Sequence, residues 1–399
     1  MDNPLPSFAL YFGDLPDPRR DNGQLRHALV DILAIALCAM LSGAESFVAM
    51  EEYGLSKQVW LRERLGLHLV HGIPSHDTFA RLFARLAPQA FEASFAAWTQ
   101  ALHTLTQGEV IALDGKSVRR SFDTATGQAA LHLVSAWATE NRLVLGQQAV
   151  ATKSNEMTAV PALLERLDIR GCVVTTDALN TQKNIAAQIL SQGGDYVLAL
   201  KGNHGLLYNH GLLYDDVREF FDWMSQRRGG LAALCPANHL SRDWGHGRAE
   251  VRACFCLPVT DTDWPQARQQ WPQLRTLVCI QSARRETGPE PEVAPSAQSA
   301  TARERRFYLS SLNADAPRLA AAVRSHWGIE NRLHWVLDVA FDEDASRIRN
   351  NHAARNMATL RRLALNLLRK DTQHRRGLKT RRHRAGWDED YLLKILCAP

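Results

Sequence analysis

The chain has 399 residues, 45% of them hydrophobic and 22% charged, with a net charge of +5. This is ordinary globular material with ample apolar content for a core, enough for one large domain with an insertion or for two to three domains. The charge is uneven: Arg361 to Arg384 carries +9 and the remainder −4, which suits either a polyanionic partner such as nucleic acid or a solvated basic end.

The N-terminus, "MDNPLPSFAL", has no basic head and no leader pattern. "HALVDILAIALCAMLSG" is interrupted by Asp31 and short for a membrane span, so it reads as a buried helix. The seven cysteines are odd in number and irregularly spaced. Cys254 and Cys256 have no second pair to complete a zinc site, so all seven read as reduced thiols of a cytoplasmic protein.

Residues 1–105 read as helices, with apolar residues recurring at three and four and Gly or Pro at the joints. "GIPSHDTFARLFARL" places Phe79, Leu82 and Phe83 on one face. That suits a packing helix in preference to the reading helix of a helix-turn-helix. From residue 108 the pattern changes. "EVIALD" is a buried strand expected to end on Asp114, and "AALHLVSAWATENRLVLGQQAV" is two strands joined at Glu140-Asn141. "MTAVPALLERL" is a helix and "CVVTTDAL" a strand ending on an acid. "NTQKNIAAQILSQGG" is a helix capped by Asn180 or Thr181, and "DYVLALKGN" a further strand. The result is a mixed α/β sheet.

Residues 203–305 break the alternation. They hold a polar helix near "YDDVREFFDWM", three strand-like pieces, and a loose Pro-, Ser- and Ala-rich loop in "RRETGPEPEVAPSAQSATARERR"; this region reads as an insertion in the sheet domain. "DAPRLAAAVRSHWGIENRLHWVLDVAF" is one long helix. "HAARNMATLRRLALNLLRK" is an amphipathic helix opening a basic tail over 351–399.

Two strands thus end in isolated acids, Asp114 and Asp177. Paired carboxylates at buried strand ends repel and lose hydration unless a cation lies between them, and a hard divalent ion such as Mg²⁺ prefers such oxygens. Lys116, Arg119 and Arg120 follow Asp114 after a turn expected at Gly115, where they would meet phosphates. A third ligand would complete a two-metal site. Glu330, with His326, Trp327 and His334 one turn away, is the first candidate; Asp338, Asp342, Glu343 and Asp344 are its rivals.

The motifs "ALDGKSVRRSFD", "LHLVSAWATE", "TTDALNTQK", "GGDYVLALKGN", "GHGRAEVR" and "VRSHWGIENRLHWVLDVAFDEDASRIRN", in this order, resemble transposases of the ISAs-one, or H-repeat-associated, family of DDE transposases. The resemblance spans nearly the whole chain. It implies an all-α N-terminal domain over 1–105 and an RNase H-like catalytic core over 106–350 with a β-rich insertion at about 203–305. Asp114, Asp177 and Glu330 would be its acidic triad, holding two Mg²⁺ ions for which Mn²⁺ can substitute. It further implies a bacterial, nucleoid-associated enzyme that works on element ends and target DNA as a homodimer on paired ends. Lys116, Arg119, Arg120, Lys201, Arg324, His326, Arg361 and Arg362 are the expected DNA contacts. Related transposases carry Tyr, Arg and Lys seven before, four before and seven after the triad Glu; this chain has Val323, His326 and Leu337 there. A hairpin route that depends on those residues is therefore not implied. The other readings are a metal-dependent nuclease without strand transfer and a domesticated, non-catalytic DNA-binding protein.

Overall fold

The computed structural model describes residues 5–20, 25–102, 105–124, 127–151, 155–202, 210–245, 248–259, 271–286 and 302–397. In chain order the elements are α1 (Leu5–Phe12), α2 (Leu29–Leu41), α3 (Phe47–Arg64), α4 (His76–Arg85), α5 (Pro88–Leu102), β1 (Val110–Val118), β2 (Leu131–Ala138), β3 (Leu143–Ala149), α6 (Glu156–Leu164), β4 (Val173–Thr176), α7 (Lys183–Ser191) and β5 (Asp195–Leu200). They continue with α8 (His210–Ser225), α9 (Gly230–Leu234), β6 (Ala237–Gly245), β7 (Arg248–Pro258), β8 (Thr276–Glu286), β9 (Ala302–Ser310), α10 (Ala316–His326), α11 (Trp335–Phe341), α12 (Ala353–Lys370), α13 (Leu378–Trp387) and α14 (Glu389–Leu396). No described helix is long and apolar enough to cross a membrane.

The chain divides into two compact units. A sheet unit comprises 106–114 and 168–328, and a helical unit comprises 1–105, 115–167 and 329–399. In the sheet unit the strand order is β1-β4-β5-β9-β8-β7-β6. β1, β4 and β5 run parallel, and β9, β8, β7 and β6 follow antiparallel. The insertion region therefore extends the same sheet. β6 escaped the sequence reading because "ANHLSRDWG" has few of the apolar residues by which a strand is recognised. β8 and β9 also take up both ends of the loop expected over 284–306, pairing Arg284 with Ala302; residues 287–301 lie outside the described residues. α10 packs on β4, β5, β6 and β7, burying Leu319, Ala322 and Val323.

The helical unit is organised around α12, which packs on α2, α4, α5 and β3. The expected amphipathic helix is buried on nearly every side. Several of its inward polar groups are hydrogen-bonded within the unit, as most buried polar groups are. The Asn366 amide exchanges two 2.9 Å hydrogen bonds with the Val144 main chain, closing the edge of β3. Asn356 donates to the Phe83 and Leu86 carbonyls at 2.8 and 2.9 Å, fixing the end of α4. Arg355 clamps Glu92 through two 2.7 Å contacts. Phe79, Leu82 and Phe83 of α4 are buried, as expected of a packing helix.

The basic end is likewise built into the fold. Arg361 is 1% exposed and pairs with Glu45 at 3.5 Å; Arg362 is 0% exposed and pairs with Glu343 at 2.8 Å. Neither sits at the surface where the sequence reading set them as DNA contacts, because each neutralises a carboxylate inside the unit. Arg382 of α13 pairs with Glu45 at 2.6 Å, donates to the Met40 carbonyl and lies over the Phe341 ring. The cysteines are free and, Cys397 aside, buried. Burial pushes the Cys172 and Cys235 thiols up to about 11 and those of Cys38 and Cys279 up to about 12, which suppresses the reactive thiolate.

Candidate active site

In the sheet unit, β1 and β4 are adjacent and parallel, in register from Val110 opposite Val173 to Leu113 opposite Thr176. Asp114 and Asp177 are the next residues on the two strands, both half-buried. Apolar, β-branched runs bury these strands, and each run stops at its acid. The two acids thus follow the paired segment at the carboxyl end of β4, where ligands usually bind in such sheets. The Asp177 carboxylate caps a 3₁₀ turn, accepting from the Asn180 main-chain N–H at 3.3 Å and from its side-chain amide at 2.8 Å. These bonds hold its orientation. Hard oxygen donors, adjacent and part-exposed, suit a divalent cation. Among the described residues no three His, Cys, Asp or Glu side chains are grouped as metal ligands.

His326 closes α10 with Nδ1 3.0 Å from the Thr175 hydroxyl. Burial lowers its pKa to about 4, which favours the neutral ring at pH 7. Val323 belongs to the core, and so does Leu337 in the helical unit. Arg324 is exposed and pairs with Asp243 at 3.4 Å, while Lys201 is exposed just after β5.

In the helical unit β1 does not end at the acid; it runs on through Gly115 to Val118. The turn expected at Gly115 is absent because the glycine serves a close approach. A Cβ there would stand inside contact distance of the Glu156 carboxylate and 2.7 Å from His132 Nε2. Those two groups form a chain with Ser117, whose hydroxyl is 2.7 Å from His132 Nδ1, with His132 Nε2 2.6 Å from Glu156. Nothing in the sequence marked this chain, since its members are 15 and 24 residues apart on three different elements. Gly115→Ala is expected to push the Glu156 carboxylate aside, break its contact with His132 and cost about 1 kcal/mol, the low end of overpacking, because the atoms met are side-chain ends; urea unfolding measures it, and an unchanged midpoint contradicts it.

Lys116 is 9% exposed and does not reach out to phosphate. Its ammonium pairs with Asp338, with Asp344 at 3.0 Å and with Glu343 at 3.6 Å. Burial alone would raise the Glu343 carboxyl, but Arg362 and Lys116 outweigh it and hold the group below the usual carboxylate range. Three of the rival acids are thus counter-charges of buried cations, and Asp342 is the left-handed residue (φ 45°) closing α11. Arg119 and Arg120 are exposed, Arg119 pairing with Asp344 at 3.3 Å.

Glu330 is exposed and opens a π-turn, Glu330–His334, that interrupts the helix expected to run unbroken. Such turns recur at functional sites because the extra residue re-aims side chains. Burial, reinforced by Arg362 and Lys116, lowers His334 to about 4. His326 and His334 therefore stay neutral in the folded state while the unfolded chain protonates them near pH 6.5. Stability is expected to fall as pH drops from 6.5 toward 4, the lower limit at which the folded state also takes the protons. Urea midpoints across that window test it: replacing both by Gln removes part of the slope, and an unaltered slope contradicts it.

Comparison with known proteins gives two family matches: the Transposase DDE domain over residues 105–367 and the DDE_Tnp_1-associated region over 9–99. The chain is 36% identical to YncI of Escherichia coli O157:H7, a protein named as a transposase, across 99% of this chain and 95% of that one. It is 35% identical to the H repeat-associated protein YhhI of E. coli strain K12, across 96% and 95%. A solved piggyBac transposase synaptic complex with hairpin DNA is 12% identical with a TM-score of 0.44, over 100% of this chain and 83% of that one, too slight a likeness to carry an argument.

Proposed function

This chain belongs to the transposase DDE domain family, and from that premise we propose that it cuts the ends of an insertion element and joins them to target DNA. The observation that supports the reading is the parallel register of β1 and β4, in which Asp114 and Asp177 each follow the last paired residue, Leu113 and Thr176. Asp114, Asp177 and, as the third carboxylate, Glu330 would hold two Mg²⁺ ions. When bound, these supply Lewis acidity, favouring ionisation of a water and stabilising the leaving oxygen. Asn180 keeps Asp177 oriented. Exposed Arg119, Arg120, Lys201 and Arg324 are cations that would hold phosphates in line.

In the first reaction the water oxygen bonds to phosphorus at the element boundary and the P–O3′ bond breaks. The element keeps a 3′ hydroxyl, and the flank keeps a 5′ phosphate. In the second that hydroxyl attacks a target phosphodiester and expels the target's own 3′ oxygen. One phosphodiester replaces another, so no external energy source and no covalent protein–DNA link are required.

The test uses a labelled duplex carrying the element's terminal repeat, a target plasmid and Mg²⁺. Nicked ends plus joined products support the reading. Nicking without joining reduces the protein to a nuclease, and binding with no cleavage reduces it to a DNA-binding protein.

A further inference from the structure

The helical unit contains a cleft of about 930 Å³ between the β2–β3 turn, the π-turn with α11, and the segment linking α12 to α13. Seven arginines and lysines line it against two acids, Glu140 and Asp371. Asp371 is already engaged, accepting from the Tyr391 hydroxyl at 2.9 Å and lying 2.7 Å from the His374 ring. The guanidinium of Arg369 donates to the Arg142 carbonyl at 2.9 Å and to that of Arg332, and lies 4.3 Å over the Trp137 ring. Arg381 donates to the Leu368 and Asp371 carbonyls at 2.9 and 2.8 Å. These two cations hold the cleft's backbone in shape through carbonyls, which leaves their charge in place. Burial first, and then the positive neighbours Arg142, Arg332 and Arg381, push Arg369 down to about 9. Arg142, Arg332, Arg375, Arg376 and Lys379 are exposed around it. Trp335, 60% exposed, gives the same wall a broad apolar surface.

Crowded cations are unfavourable in the free protein and become favourable when a polyanion enters. Arginines beside an open indole suit a ligand that alternates phosphates with flat apolar rings. We infer that this cleft docks a DNA strand, its phosphates on Arg332, Arg375, Arg376 and Lys379 and its sugar or base faces on Trp335. This rests on the reading of the protein as one that works on DNA.

The experiment measures fluorescence anisotropy of the full-length protein with a labelled duplex of arbitrary sequence, and with one of its single strands, over a salt series. The combined variant Arg375→Ala, Arg376→Ala, Lys379→Ala is expected to bind both about 10- to 100-fold more weakly. Its slope of log K against log salt should be shallower by up to about 3 on duplex and about 2 on single strand, from roughly 0.9 and 0.7 per phosphate contact. A charge-keeping variant, Arg375→Lys, Arg376→Lys, Lys379→Arg, should retain most of the affinity. Unchanged affinity and slope in the alanine variant overturn the inference, as does equal loss in the charge-keeping one. Protein that binds through this cleft and never cuts an element end leaves the inference standing and removes the proposed function. Protein that cuts, with an alanine variant indistinguishable from wild type, does the reverse.

Discussion

Asp114→Asn and Asp177→Asn are each expected to lower Mg²⁺-dependent cleavage of element ends by at least about 10³-fold, some 4 kcal/mol of barrier, while leaving DNA binding and the unfolding midpoint near wild type. The change keeps each side chain's size and removes the charge that would hold a cation. Asp177→Asn leaves an oxygen to accept from Asn180, so the 3₁₀ turn should survive. Glu330→Gln should behave the same way, since an exposed Glu contributes little to the fold. Asp342→Asn should cut at nearly the wild-type rate, because Asn tolerates the left-handed backbone that Asp342 adopts. Asp344→Asn should act on stability through Lys116. Normal cutting by Glu330→Gln beside a dead, fully folded Asp344→Asn would reassign the third ligand.

The second large effect is on stability. Glu343 is 0% exposed, paired with Arg362 at 2.8 Å and with Lys116 at 3.6 Å. Glu343→Leu strands the Arg362 cation in a low-dielectric interior and leaves Lys116 to Asp338 and Asp344, and breaking a buried pair from one side typically costs about 3–5 kcal/mol. That is a large part of a domain's usual stability. Adding Arg362→Leu to Glu343→Leu should restore some of the loss by removing one stranded charge. Urea unfolding of the two single variants and the double variant closes the cycle. A single-variant loss under about 1 kcal/mol, or a double variant that merely adds the single losses, would mean water reaches the cluster.

The corrections share one cause. Lys116, Arg361 and Arg362 looked like DNA contacts because each is a cation in a basic stretch. Their partners, however, lie on other elements: Asp338 is 222 residues from Lys116, Glu45 is on the far side of the unit's sequence from Arg361, and even the nearest, Glu343, is 19 residues from Arg362. A carboxylate that distant leaves no mark on local composition. Gly115 was misread for the same reason. A glycine after an apolar run usually means a turn, and only the approach of His132 and Glu156 explains it within a strand. The π-turn at Glu330 was invisible because its sequence continues the helical period.

Local pattern by itself determined the alternation of strands and helices from β1 to β5, the packing role of α4 and the placement of an acid at the end of two apolar runs. Burial periodicity and strand length need only neighbouring residues, so those features are written in the chain. Tertiary structure alone decided that β1 and β4 are neighbours in exact register, that the insertion region extends the same sheet, and which cations remain at the surface. A charge is exposed or internal according to what folds against it. For Arg382 of the basic end that is the Met40 carbonyl, 342 residues away.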